Sequence, residues 1–334
     1  MVTIKDVARV AGVSTSTVSR VVRGQSKVGD QCRAHVQSVI KALGYRPNIN
    51  ARALVSQKSE MLGIVTPEFS SNFFGNIASG VASAARNANY KVMMSNSQDI
   101  PHTELEAIAS LREHGCQNII LHSKFTDDNT LAQLAADIPG LIIINRFVSA
   151  IASRCVWIDN IAGGKMAVEH LLDKGHRQFA FITSDIQNQD PDDRLNGCRN
   201  ALSKLNISVE PEQIASGLPE MEDGYRAAET LLARDINFTA VIAYNDAMAV
   251  GAMNALQDAG KKVPEDVSVI GFDNLLIATA CRPYLTTMNY PIFDMACYAS
   301  RLSILLTTCK EEAENKTHLF MPSLVERDSV CQVK

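Results

Sequence analysis

The spacing of apolar residues changes once along this chain, near residue 60. Ahead of that point the apolar positions recur at helical intervals. Ile4, Val7, Ala8 and Ala11 share one face of a short helix, and Val18, Val21 and Val22 share one face of a second. Gly12 between them can take the positive φ that ends a helix, and Ser14 stands where an N-cap belongs. A third helical pattern runs from about Asp30 to Leu43, closed by Gly44 and barred from continuing by Pro47. Asn48 or Asn50 can cap a further run, Ala51-Arg52-Ala53-Leu54, which is too short to be a stable helix alone in water.

Past residue 60, short β-branched apolar runs alternate with amphipathic helical stretches. The runs are MLGIVTP, KVMMSN, NIILHS, LIIINR, VWID, QFAFITS, AVIAYN, VSVIGFD and TTMNYP. Runs apolar on both faces, alternating with helices, predict parallel strands buried between helical layers. Nine strands are too many for one compact sheet of this class, so two doubly wound lobes are expected. The length of 334 residues likewise exceeds what one hydrophobic core usually serves.

Charge sharpens the division. Residues 1–60 hold ten Lys and Arg against three acids, a balance of +7; the whole chain is −4, which leaves −11 on the other 274 residues. A basic head on an acidic body is expected when only one end meets phosphates. Helix, glycine turn and helix is the sequence form of a helix-turn-helix, whose second helix enters the DNA major groove. Thr15, Ser16, Thr17 and Arg20 would then stand near its leading end, with Arg20 suited to a bidentate guanine contact. The plain alternative is an ordinary helical hairpin.

The segments TIKDVARVAGVSTSTVSRVV, KALGYRPN and ARAL closely resemble the lac-repressor family of bacterial transcription regulators. That resemblance puts Thr15, Ser16 and Arg20 on the recognition-helix positions. It puts Asn48, Ala51 and Leu54 on a hinge helix that lies in the minor groove, with Leu54 wedged into the central base step. It implies an N-terminal all-α helix-turn-helix head plus an α/β two-lobed periplasmic-binding-protein-like effector domain. The expected division is a DNA-binding domain at 1–46, a hinge at 47–60 and an effector-binding and dimerisation domain at 61–334. The chain should cross between lobes near 160, 290 and 320. LHSKF, IPGLIIINR, SRCVWIDN and FMPSLVERDSV resemble the galactose-repressor and isorepressor branch of the family.

In open α/β sheets the ligand sits beyond the carboxyl ends of the strands. Asn145 and Arg146, Asp159 and Asn160, Asn245 and Asp246, and Asp273 and Asn274 follow such runs; Arg194 and the Phe73-Phe74 pair join them as candidates. Amides, carboxylates and a guanidinium match sugar hydroxyls, and an aromatic face covers the C–H side of a sugar ring. Bland roles compete: helix N-caps for Asp159, Asp246 and Asp273, an ion pair with Asp192 or Asp193 for Arg194, core packing for the phenylalanines. The resemblance puts Arg194, Asn245 and Asp273 at effector-contacting positions. Asn274 departs from it, since many relatives carry a second aspartate there.

Other chemistry finds little footing. No glycine-rich phosphate loop occurs, the eight cysteines form no Cys-x-x-Cys pair, and the seven histidines lack metal-ligand spacing. No metal, cofactor or enzymatic activity is expected. Gly163-Gly164 reads as a close-packing site and His176 as structural. No apolar stretch approaches the ~18 residues that span a bilayer, and a cytoplasmic location is expected. The reading is a homodimeric repressor of sugar utilisation genes, with galactose or a related sugar releasing it from operator DNA. A purine- or other metabolite-responsive regulator of the same family is the alternative; a sugar-metabolising enzyme would need an acid–base pair that the sequence does not offer.

Overall fold

Thr3 sets the start of the first helix. In a computed structural model, which describes residues 2–22, 24, 27–45, 60–308 and 317–333, Thr3 and Asp6 form a reciprocal capping box ahead of α1 (Ile4–Ala11). Gly12 closes α1 at φ 64°. Ser14 caps α2 (Thr15–Val22), its Oγ accepting from the Thr17 amide at 3.1 Å. α3 (Asp30–Leu43) ends on Gly44 at φ 61°. Val7, Ala8, Ala11, Val18, Val21, Val36 and Val39 bury together, so each helix's apolar stripe meets the other two. Asn48, Ala51 and Leu54 lie outside the described residues.

The chain divides into two compact units, 1–59 and 60–334. The second holds two sheets. One takes β1 (Met61–Thr66), β2 (Lys91–Asn96), β3 (Asn118–His122), β4 (Gly140–Ile144), β5 (Cys155–Ile158) and β11 (His318–Phe320), in the order β11-β5-β4-β3-β1-β2. The other takes β6 (Phe179–Ser184), β7 (Ile214–Gly217), β8 (Ala240–Ala243), β9 (Ser268–Asp273), β10 (Thr286–Asn289) and β12 (Ser323–Val325), in the order β12-β10-β9-β8-β6-β7. Neighbours pair in parallel except β10 and β12. Parallel central strands with both faces covered explain the continuous burial of β3, β4 and β9.

The chain leaves the first sheet after β5, through α7 (Asn160–Asp173), and returns after β10. Its return helix, α12 (Ile292–Thr308), packs on α4 (Asn72–Asn87), β3 and β4. It crosses again between β11 and β12. The three crossings fall near 160, 290 and 321, as expected. One apolar cluster joins the lobes, running from Leu62 and Ile64 to Phe272 and Met288, and each lobe adds a cluster of its own.

In the second lobe α7 lies against α8 (Gln189–Ser203) at backbone contact. A Cβ on Gly164 would fall 1.9 Å from the Arg194 carbonyl oxygen, and one on Gly197 would fall 2.1 Å from that of Ile161. Close packing is thus the reason for Gly164, and it fixes where the Arg194 backbone stands. His176 is structural: its ring nitrogens meet Thr239 Oγ1 at 2.9 Å and the Cys331 carbonyl at 3.1 Å.

Candidate functional site

On the head, the start of α2 presents hydroxyls and one guanidinium. Thr15, Ser16 and Arg20 are exposed, and Thr17 is half-buried. Ser14 Oγ lies 2.7 Å from Ser16 Oγ and 2.9 Å from Thr17 Oγ1. The cap network therefore engages Ser16 and Thr17, while Thr15 and Arg20 face outward beside it.

Between the lobes of the body lies a cleft with two chambers. The smaller, about 150 Å³, is walled by Phe73, Asn145, Arg194, Asn245 and Asp273 among others. The larger, about 470 Å³, is walled by Arg146, Phe147, Trp157, Asn160 and Asp193 among others. Lys124, Asn145, Asn188 and Asp190 belong to both walls.

Arg194 organises the smaller chamber. Its Nε donates to Asn160 Oδ1 at 2.9 Å and its Nη1 to the Tyr244 carbonyl at 2.6 Å. Its guanidinium carbon stands 3.7 Å from the Phe272 ring centroid and 4.4 Å from that of Tyr244, two cation–π contacts. Nη1 lies 3.9 Å from Asp273 Oδ1, so its acidic neighbour comes from β9 and not from Asp192 or Asp193. Burial pushes the Asp273 carboxyl up to about 8, against the pull of Arg194. Asn245 caps α10 (Asp246–Asp258), its Oδ1 accepting from the Met248 amide at 2.8 Å and its Nδ2 donating to the Pro219 carbonyl at 2.9 Å.

Asn145 follows β4 at φ 62° and is buried. Its Nδ2 donates to His122 Nε2 at 3.2 Å, and its Oδ1 accepts from the Tyr290 hydroxyl. Burial lowers His122 to about 3, so the ring is neutral and its Nε2 free to accept. Lys124 Nζ donates to the Asn145 carbonyl at 2.5 Å and to Asp190 Oδ2 at 2.6 Å, tying the lobes together. Burial works against the charge on Asp190, but Lys124 and Arg194 outweigh it and hold the carboxyl below the ordinary range. Phe73 meets Phe74 and Tyr290 edge-on, with centroids 5.4 Å and 5.3 Å away.

Two segments of the chain match known families: residues 3–48 match the bacterial regulatory proteins of the lacI family, and residues 168–330 a periplasmic binding protein-like domain. The HTH-type transcriptional regulator GalR of Salmonella typhimurium is 41% identical over 330 residues, covering 99% of this chain and 96% of the relative. The chain belongs to the lacI family. The regulator GalS of the same species is 41% identical over 331 residues, covering 99% and 97%. Among solved structures, a lac repressor dimer bound to operator and the anti-inducer ONPF superposes with a TM-score of 0.89 at 26% identity, covering 99% of both chains. A regulator CelR–cellobiose complex gives 0.71 at 28%, covering 98% and 100%. The chain is thus a DNA-binding transcriptional regulator of the lacI family and not an enzyme.

Of the sequence-predicted effector residues, Phe73, Asn145, Arg194, Asn245 and Asp273 converge on one lacI-family cleft, and Arg146 lines its larger chamber. Arg146 is bound there to the Thr126 carbonyl at 2.8 Å and Asp128 Oδ1 at 2.7 Å. Two do not reach either wall. Asp159 caps α7, accepting from the Ala162 amide at 2.8 Å. Asp246 is buried beneath the site, where the Leu275 amide and Thr287 hydroxyl donate to it at 2.7 Å and 2.5 Å; burial raises its carboxyl to about 7. Asn274 also turns away, holding Arg327 Nη2 at 2.6 Å.

Sequence reasoning passed over Lys124, Asp190, His122 and Tyr244. Lys124 and His122 sit at the carboxyl end of β3, where the strand-end rule already pointed. Asp190 precedes Arg194 by one helical turn, so the two share a face.

Proposed function

We propose that this regulator is a homodimeric repressor that leaves its operator when a small neutral sugar, galactose or a close relative, fills the smaller chamber. The observation that carries this reading is the joint presence of Arg194, Asn245, Asp273 and Asn145 beside Phe73 in one inter-lobe space. Those groups offer donors and acceptors for several hydroxyls, with an apolar ring for the opposite sugar face. The identity to GalR and GalS favours galactose, and the lac repressor dimer on its operator favours a dimer reading two half-sites. Thr15, Ser16, Thr17 and Arg20 would contact base edges, and Asn48, Ala51 and Leu54 would dock in the minor groove. DNA as partner implies a cytoplasmic site of action.

The purine alternative has less support. A base needs free aromatic faces, and the Phe272 and Tyr244 rings are already engaged by the Arg194 guanidinium. A thermal-shift panel of galactose, other sugars, hypoxanthine and guanine tests the choice. Galactose is expected to raise the melting temperature and the purines to leave it unchanged; a shift with a purine alone would reverse the assignment.

A further inference from the structure

The three crossings between the lobes run side by side, because β11 pairs with β5 and β12 with β10. A few adjacent chain segments of this kind form a hinge, about which two lobes can part. One chain of polar groups bridges the cleft that such a motion would open. Lys124, just past β3, donates to the Asn145 carbonyl of its own lobe at 2.5 Å. It also donates to Asp190 Oδ2, in the first turn of α8 on the other lobe, at 2.6 Å. The second Asp190 oxygen accepts from Asn160 Nδ2 at 3.2 Å, and Asn160 Oδ1 accepts from Arg194 Nε at 2.9 Å. Lys124, Asn145 and Asp190 line both chambers, so the bridge stands where they meet.

Water competes for exposed ions, so a surface pair would tie the lobes weakly. This pair is enclosed: the side chains of Lys124 and Asp190 are 8% and 11% exposed. An enclosed pair offsets the loss of hydration only where further hydrogen bonds hold both partners. Asn145 supplies one for the ammonium and Asn160 one for the carboxylate, and both asparagines are buried. All four groups belong to the chain itself. We propose that the Lys124–Asp190 pair is a latch between the lobes, so that an effector meets a cleft already set at its working width and does not have to close it. The affinity of the cleft is then free of the penalty that a rarely populated closed state would impose.

The test compares the full-length wild type with Lys124→Met/Asp190→Asn, which removes both charges together so that neither is left buried alone. Trp157, the chain's single tryptophan, is half-buried on the wall of the chamber that Asn188, Gln189 and Asp190 bound from the other lobe. Acrylamide quenching of its fluorescence therefore reports parting of the lobes, and small-angle scattering reports the radius of gyration. Without sugar, the double variant is expected to show a higher quenching constant and a larger radius than wild type, with unchanged far-UV circular dichroism. Should it fail to fold, Lys124→Gln is expected to show the same two changes. Saturating galactose is expected to return the variant to the wild-type values and to leave wild type as it was, an arm that rests on the sugar reading given above. Equal quenching and radius in the two sugar-free proteins would overturn the latch, as would a wild type that galactose compacts as much as the variant. Failure of galactose to bind either protein would overturn the sugar reading and leave the sugar-free comparison to decide the latch.

Discussion

Arg194 shows how one residue is placed by features far from it in sequence. Gly164 lets α7 touch its backbone, Asn160 and Tyr244 fix its donors, and two ring faces hold its plane. Arg194→Ala removes the group that faces Asp273 and frees both rings. It is expected to abolish the response to sugar while operator binding by the head persists; loss of operator binding in a folded Arg194→Ala protein would contradict the assignment. Asp273 carries a pH signature. Its folded value, about 8, stands above the ordinary 3.8, so its contribution to stability is present below the ordinary value and is lost as pH rises through about 8. Sugar hydroxyls donate to the ionised form, so they favour the carboxylate. Galactose affinity is therefore expected to increase with pH across neutrality towards 8, and Asp273→Asn should flatten that profile in titrations at several pH values. At this scale Arg194, Asn245 and Asp273 were legible through the family pattern. The Lys124–Asp190 bridge was not, because its partners lie 66 residues apart and meet only when both lobes are in place.

The elements were legible where they are long or sharply capped. The two-helix motif followed from the apolar stripes, Gly12 and Ser14, and the central strands from their continuous apolar runs. β7, β11 and β12 were not, since each lies at the edge of its sheet and lacks the continuous buried run of the inner strands. Asp159 and Asp246 misled for a related reason: polar residues at strand ends also start helices or brace the next loop, and both do so here. Gly164→Ala would drive a methyl into the Arg194 carbonyl and push α7 from α8. A loss of about 1–3 kcal/mol is expected from such overpacking, visible as a lower denaturation midpoint. Ser14→Ala removes the side-chain acceptor for the Thr17 amide and leaves it the Ser14 carbonyl alone. Loss of such a cap typically costs about 0.5–2 kcal/mol, and hydrogen exchange in the full-length protein should show weaker protection across α2 and little change in β3 and β4.

For the whole molecule, the charge division was plain in the sequence, and so was the need for two lobes. On the proposed reading the basic head supplies the phosphate contacts, so operator affinity should fall steeply with salt, by about 0.9 log units per tenfold rise in salt for each phosphate contacted. Coupling between a sugar in the cleft and the head is expected to be of the usual size for linked sites, about 1–3 kcal/mol, or roughly 5- to 150-fold in operator affinity. Release by sugar is most directly tested by titrating the purified protein onto a labelled fragment of its own upstream DNA, at fixed salt, with and without saturating galactose. A distinct preference for that fragment, weakened at least about fivefold by the sugar, is the expected result. Equal binding to unrelated DNA, or an affinity that no sugar alters, would contradict it.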